Sequence, residues 1–254
     1  LLTNYACHPV FYPTKDGISA EFPGRLCQLL DARFYGCTSL TEVKLPSSLK
    51  AIGRDAFKFC SNLEAIEFPE GLETIEWDAF TGCNKITEVT IPKSVTALCG
   101  FQDCDGLVSV TLNNTGAVLS YAFYGCDNLQ NLYIGNNVTE IQASAFQKCV
   151  SLRELTVPSS VGDVSGFGSC TDLETVRLYN TGRIRGYAFS GCSSLSSIAI
   201  PESVTSIGGA AFRGCSSLTS ITIPDSVNKI NPNAFYNCTS LAEITLPASV
   251  TNIG

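Results

Sequence analysis

Cysteine is the residue type with the greatest chemical potential in this chain, which has thirteen cysteines but only one histidine, His8, among 254 residues. Catalysis by a Cys–His pair needs a histidine base held beside the nucleophile. His8 stands alone beside Pro9 near an irregular terminus, where an exposed or capping role is expected. Structural zinc sites favour C-x-x-C pairs, and the most closely spaced cysteines are Cys99 and Cys104. The sequence therefore predicts no catalytic residue, no metal and no cofactor.

Ten of the cysteines instead belong to a repeat in which phenylalanine, cysteine and an aliphatic residue follow one another at intervals of three. The phenylalanines are Phe34, Phe57, Phe80, Phe101, Phe123, Phe146, Phe167, Phe189, Phe212 and Phe235. The cysteines are Cys37, Cys60, Cys83, Cys104, Cys126, Cys149, Cys170, Cys192, Cys215 and Cys238. Successive phenylalanines are 21 to 23 residues apart, which indicates about ten stacked structural units.

Stacked units place equivalent side chains about 4.8 Å apart, pointing the same way. A disulfide needs Cβ atoms about 3.8 Å apart. The ten cysteines are therefore expected to stay thiols and to form a buried structural ladder, since free cysteine packs as a small hydrophobe.

Each repeat also carries the signals of its own secondary structure. An alternating I-x-I stretch predicts a half-buried strand, and proline ends seven of the ten strands, as at Pro224 and Pro247. Other residues take that place at Asn113, Gly135 and Tyr179. The S-V-x-x-I segment predicts a short second strand, and the period of three in F-x-x-C-x-x-L predicts a 3₁₀-like turn.

A longer period lies beneath the repeat. The segment "LNNTGAVLSYAFYGC" (112–126) reappears as "LYNTGRIRGYAFSGC" (178–192), beginning 66 residues later. The spacings 21, 22 and 23 also occur twice in succession. A block of three repeats has therefore been duplicated within the chain.

The consensus, best seen in "IPDSVNKINPNAFYNCTSLAEITLP" (223–247), resembles the BspA-type leucine-rich repeat family of bacterial surface proteins. The resemblance covers residues 20–254 and implies a leucine-rich-repeat solenoid of the α/β horseshoe class, with short parallel strands, turns and 3₁₀ pieces. Residues 1–19 fit the repeat poorly and are expected to form a cap or an eroded repeat. The chain contains no methionine, not even at its first position, and it stops in mid-repeat at Gly254, so we expect it to be part of a longer protein.

Three cysteines lie off the ladder. Cys27 aligns with Glu73 and Cys99 with Gly208, so both are expected near the surface. A Cys7–Cys27 bridge that fastens the cap and a pair of unpaired thiols are both compatible with the sequence.

The composition of the chain limits the kinds of partner that it is expected to bind. A net charge of −7 argues against nucleic acid and against an anionic membrane surface. No stretch of about 18 apolar residues is present to predict a transmembrane helix. Binding to another macromolecule is the function that remains.

Solenoids bind through a face with one variable residue per unit. Strand alternation predicts that this outward row is Lys44, Glu67, Thr90, Thr111, Tyr133, Thr156, Arg177, Ala199, Thr222 and Thr245. Tyr133 and Arg177 stand out, with Arg153 and Tyr179 beside them, because tyrosine and arginine are common interface anchors. Trp77, the only tryptophan, is a second candidate anchor or packs against a neighbouring loop.

The family resemblance implies a secreted or surface-exposed adhesion module that binds a protein or glycan ligand, including host extracellular matrix. A structural spacer that holds another domain off the cell surface is the alternative. A third possibility is an accessory repeat domain of a larger enzyme, with the chemistry supplied by a neighbouring domain.

Overall fold

A computed structural model describes residues 34–254, and these residues form a solenoid of stacked turns. The predicted cap, His8, Cys7 and Cys27 lie outside the described residues. The strands are β1 (Glu42–Val43), β2 (Ala51–Ile52), β3 (Ala65–Ile66), β4 (Thr74–Ile75), β5 (Glu88–Ile91), β6 (Ala97–Leu98), β7 (Ser109–Leu112), β8 (Gly116–Val118), β9 (Asn131–Ile134), β10 (Val138–Ile141), β11 (Glu154–Val157), β12 (Thr175–Leu178), β13 (Ser197–Ala199), β14 (Ser206–Ile207), β15 (Ser220–Thr222), β16 (Lys229–Ile230) and β17 (Asn252–Ile253).

The strands form two ribbons on different sides of the solenoid, and every pairing is parallel. The first ribbon contains the sheets β1-β3, β5-β7-β9 and β11-β12-β13-β15. The second contains β2-β4-β6-β8-β10 and β14-β16-β17, with bridges through Val164 and Ile184 between them. The second ribbon confirms the strand predicted for the S-V-x-x-I segment.

The core is a stack of side-chain columns between the ribbons and the turns. All nine successive phenylalanine pairs from Phe34 to Phe235 are stacked, with ring centroids 4.9 to 6.0 Å apart and interplanar angles of 2 to 13°. Eight of the ten rings, from Phe57 to Phe212, are among the largest fully buried side chains. One residue per turn in each column thus explains the constant spacing of the sequence motif.

The F-x-x-C-x-x-L segment forms turns, and residues 34–254 contain no 3₁₀ element. The backbone N–H of Cys83 donates to the carbonyl oxygen of Phe80 at 3.0 Å, which is the expected spacing of three residues. The residue two after each phenylalanine, however, has a positive φ, as at Gly82 (71°) and Lys148 (65°). A left-handed residue ends a right-handed helical path, so each turn stays separate.

The consensus serine before valine also has a structural reason. Its hydroxyl donates to a backbone carbonyl of the preceding turn, at 2.7 Å from Ser226 to Val204 and at 2.8 Å from Ser249 to Val227. The bond satisfies a carbonyl where the chain leaves the first ribbon. Serine therefore recurs there because it links successive turns.

Two shortened turns interrupt the regular stack. They lack two residues before Phe101 and Phe167, and Gly100 and Gly166 stand where seven of the eight other repeats have alanine. Cys99 was expected near the surface, but it is 0% exposed and its thiol donates to the carbonyl oxygen of Ser120 at 3.5 Å. That expectation was wrong because the shorter turn draws this position inward.

The structure confirms the leucine-rich-repeat solenoid predicted from the sequence. Within residues 34–254, no helix has the length and apolar character needed to cross a membrane.

Candidate functional site

The predicted outward row lies on the first ribbon, and its register follows the strand pairing. Thr90 pairs with Thr111, and Thr111 pairs with Tyr133. In the next sheet Thr156 pairs with Arg177. Within each sheet the row is therefore a line of side chains about 4.8 Å apart, and we call the surface formed by the three sheets of the first ribbon the strand face.

A shallow groove of about 690 Å³ crosses the middle of the strand face. Its lining residues include Thr111, Gln130, Asn131, Tyr133, Arg153, Glu154, Thr156 and Asp172. Tyr133 is 57% exposed and presents its ring to solvent, although it lies in the middle of a strand. An exposed aromatic ring beside polar groups is typical of a surface that binds a polar macromolecule.

Two arginines lie near the groove, and they differ in their electrostatic surroundings. Arg177 donates from Nη1 to the Glu154 carboxylate at 3.4 Å. Arg153 also lines the groove and is exposed, and within residues 34–254 it forms no ion pair. Arg153 is thus the arginine whose charge is available to a ligand in the groove.

The five candidate residues do not form one cluster. Tyr133 and Arg153 line the same groove, whereas Arg177 lies beyond Thr156 and is held by Glu154. Tyr179 is 58% exposed and follows the end of β12. The repeat positions alone could not distinguish the two arginines, because the Arg177–Glu154 pair depends on side-chain geometry across two turns.

Trp77 lies away from the strand face, after β4 of the second ribbon. Its ring centroid is 6.4 Å from that of Tyr121, with the planes inclined at 48°. The side chain is 41% exposed, so the ring packs against Tyr121, two turns further along the solenoid, while one side remains open to solvent.

A second depression on the strand face is acidic. It is lined by Glu67, Glu70 and Glu88 together with Lys93. The strand face therefore differs in charge along the solenoid, because this depression has three carboxylates and one lysine, whereas the central groove has two carboxylates and the arginine Arg153.

The ladder cysteines lie inside the solenoid. From Cys83 to Cys215 they are buried, and Cys238 is partly exposed in the last complete turn. Burial raises the pKa of Cys104 well above its ordinary value and that of Cys170 to about 12. These groups remain protonated at neutral pH, whereas the reactive form of cysteine is the thiolate. Among residues 34–254, no group of three or more His, Cys, Asp or Glu side chains is placed to hold a metal ion.

Parallel strands, one phenylalanine column and a repeat of 21 to 23 residues define a leucine-rich-repeat solenoid. The sequence matches the family described as "BspA type Leucine rich repeat region" over residues 8–100, 86–184 and 163–254. The chain belongs to this family.

Three solved structures are similar to this chain. A leucine rich cell surface protein from Faecalibacterium prausnitzii is 31% identical, with 87% of this chain and 78% of that chain covered and a TM-score of 0.46. A leucine-rich repeat protein from Bacteroides ovatus is 27% identical, covering 83% and 74%, with a TM-score of 0.45. One from Eubacterium ventriosum is 20% identical, covering 86% and 76%, with a TM-score of 0.52. No curated protein matches this chain significantly.

Proposed function

We propose that this chain is an interaction module of a bacterial cell-surface or secreted protein, and that it binds a protein or glycan ligand through the strand face. Adhesion to host or matrix proteins is the use that we favour. The observation that carries the proposal is the exposed Tyr133 ring beside the unpaired Arg153 in the central groove. The name of the F. prausnitzii protein, a cell surface protein, supports the location.

The chemistry of the groove favours a polar ligand. Tyr133 offers a ring for stacking and a hydroxyl for hydrogen bonds, and Arg153 offers up to five donors for a carboxylate or a carbonyl. Glu154 and Asp172 supply acceptors nearby. A protein loop or an acidic glycan fits this combination of donors, acceptors and an aromatic ring.

The same residues give no support for catalysis. Glu154 is 72% exposed and is paired with Arg177, whereas a pair of catalytic carboxyl groups is held close together in a site that excludes water. We infer that the chain acts by binding and has no enzymatic activity.

The experiment that tests the proposal is binding of the purified chain to immobilised matrix proteins and glycans. The Tyr133→Ala, Arg153→Ala double variant is compared with Tyr236→Ala, which removes a tyrosine that is 51% exposed on another side. We expect the double variant to weaken saturable binding at least tenfold, or about 1.4 kcal/mol, and the control to bind normally. A further variant, Arg177→Ala with Tyr179→Ala, measures how far the site extends along the strand face.

Two outcomes contradict the proposal. Equal binding by the wild type and the Tyr133, Arg153 variant would move the site off the groove. Failure to bind any member of a broad panel would favour the structural spacer, which needs the stacked turns but no ligand.

A further inference from the structure

Two notches interrupt the turns that follow the second ribbon, one in each copy of the 66-residue duplication. Each notch lies at a shortened turn, where a glycine with a positive φ replaces the usual alanine. These are Gly100 (100°) and Gly166 (96°). Because two residues are missing there, the turns on either side project further out from the solenoid than the shortened one. We call the gap between them a notch. The first notch lies between Trp77 and Tyr121.

The first notch is filled by an aromatic cluster of this chain. The Trp77 ring lies over the shortened turn and contacts Tyr121, with the two ring centroids 6.4 Å apart. The two residues are 44 positions apart in the sequence. Tyr121 in turn meets Tyr124 edge-on at 5.6 Å. A tryptophan ring thus bridges the two turns that flank Gly100.

The second notch has the same backbone but lacks the tryptophan. Ala143 stands 66 residues after Trp77, and Tyr187 stands 66 residues after Tyr121. Both residues line a cavity of about 230 Å³ together with Gly166. The absence of the indole ring at position 143 therefore leaves an open cavity against Tyr187.

Several side chains that line the second notch are also smaller than their counterparts in the first notch. Gly168, Ser169 and Ser190 line it, and their counterparts in the first block are Gln102, Asp103 and Tyr124. Only Gln147 is larger than its counterpart, Thr81. The substitutions widen the notch beyond the space that the missing tryptophan alone would leave.

Tyr187 forms the open wall of this cavity. Its side chain is 64% exposed, the highest exposure among the tyrosines of residues 34–254. Tyr121 contacts two aromatic rings, whereas no aromatic ring within residues 34–254 lies against Tyr187. An exposed ring beside an open cavity is a suitable surface for stacking.

We propose that the second notch is a binding pocket for the tryptophan side chain of a partner polypeptide. The partner's indole ring takes the place that Trp77 holds in the first notch and packs between Ala143 and Tyr187. The amide oxygen of Gln147 and the hydroxyls of Ser144 and Ser190 supply acceptors for the indole N–H. This pocket lies off the strand face and does not depend on the function proposed there.

The size of the cavity agrees with this ligand. An apolar cavity of about 150 Å³ is enough to hold benzene, and 230 Å³ leaves room for the second ring of indole. Phenylalanine would fill less of the cavity and has no N–H to donate. The pocket should therefore prefer tryptophan over phenylalanine at the same place in a peptide.

The test is a titration of the full chain with a short peptide that contains one tryptophan, followed by NMR of ring-labelled tyrosine and by calorimetry. A peptide with phenylalanine at that position is the matched ligand control. We expect one saturable site, a shift of the Tyr187 ring signal, and at least about tenfold weaker binding of the phenylalanine peptide. N-acetyl-tryptophanamide, used in the same titration, separates the contribution of the ring from that of the peptide backbone.

Three variants make the test specific. Ala143→Trp restores the arrangement of the first notch, so we expect a folded protein that no longer binds the peptide. Tyr187→Ala removes the stacking surface and should weaken binding at least about tenfold. Trp77→Ala opens the first notch, and we expect the number of binding sites to rise from one to two.

The melting curve of Ala143→Trp shows whether the variant folds. Unchanged binding by a folded Ala143→Trp variant would overturn the proposal, and so would wild-type affinity in Tyr187→Ala. If Ala143→Trp loses peptide binding while the Tyr133→Ala, Arg153→Ala variant binds the peptide like the wild type, the pocket is independent of the strand face.

Discussion

The thiol of Cys104 donates to the carbonyl oxygen of Phe80 in the preceding turn, with the sulfur 3.1 Å from the oxygen. The same carbonyl accepts the backbone N–H of Cys83 at 3.0 Å, so both of its lone pairs are used. The contact recurs along the ladder, for example from Cys149 to Phe123 at 3.3 Å. The ladder cysteine therefore both packs in the core and links each turn to the one before it.

Replacing Cys104 separates these two roles. Cys104→Ala removes the buried sulfur and the hydrogen bond, and we expect it to lower the free energy of unfolding by about 1–3 kcal/mol. Cys104→Ser keeps a donor close to the Phe80 oxygen and should cost less than alanine. The measurement is unfolding in urea, with the same pair of changes at the partly exposed Cys238 as the control. A serine variant no more stable than the alanine variant would show that packing alone explains the cysteine.

The buried thiols also predict a loss of stability at alkaline pH. Burial raises the folded-state pKa of the ladder thiols from Cys83 to Cys238 above the ordinary 9.0, as at Cys170, where it reaches about 12. The unfolded chain therefore ionises first, and the stabilising contribution is complete below pH 9 and is lost as pH rises. Each buried thiol lowers the free energy of unfolding by about 1.4 kcal/mol per pH unit between its unfolded-state pKa and its folded-state pKa.

We expect the urea midpoint to fall steeply between pH 8.5 and about 10. A variant with alanine at Cys104, Cys126 and Cys149 is the control, since fewer thiols should make the fall less steep even though the protein is less stable at pH 7. An equal slope in the two proteins would assign the alkaline transition to other groups.

Much of the fold follows from the sequence because each core position repeats at a fixed interval. The phenylalanine column, the strand before Pro224 and the outward position of Tyr133 all follow from this periodicity. Contacts that skip a turn do not, since they depend on side-chain direction and on turn length. The Trp77–Tyr121 contact spans a shortened turn, and no local pattern predicts it. The candidate site shows the same limit, because the repeat places Arg177 in the outward row and Arg153 beside it, whereas the Glu154 pairing leaves Arg153 as the arginine without an ion pair within residues 34–254.

The two kinds of glycine in the turns should respond differently to alanine. Gly191 has a φ of 78° but space for a methyl group, since an added Cβ would lie 3.4 Å from the Ser169 hydroxyl oxygen. Gly191→Ala should therefore lower the free energy of unfolding only by the strain of a left-handed alanine, about 1–2 kcal/mol. At Gly100 the Cβ would lie 2.5 Å from the Glu76 carbonyl oxygen, and we expect a larger loss. Urea unfolding of the two variants measures the difference, and equal losses would contradict the steric argument.

Asp163 joins two turns of the second ribbon, and its charge should matter more than that of an ordinary surface carboxylate. It accepts from Arg183 Nη2 and from Arg185 Nε, both at 2.9 Å, and from the backbone N–H of Arg183 at 2.7 Å. Partial burial raises the pKa of Asp163, but the bonds from the two arginines together outweigh burial, and the pKa lies below the ordinary 3.8. The stabilisation is therefore complete above pH 3.8 and is lost as the pH falls through the lower, folded-state value.

Asp163→Asn should lower the free energy of unfolding at pH 7 by about 1 kcal/mol, a modest loss because both arginines are more than half exposed. The difference from the wild type should shrink as the pH falls below 3.8, where the wild-type carboxylate also takes up a proton. Glu154→Gln is the matched control, since the Glu154–Arg177 pair is exposed on both sides at 3.4 Å and should contribute little. A difference between wild type and Asp163→Asn that stayed constant from pH 7 to pH 3 would mean that the shape of the side chain, rather than its charge, holds the two turns together.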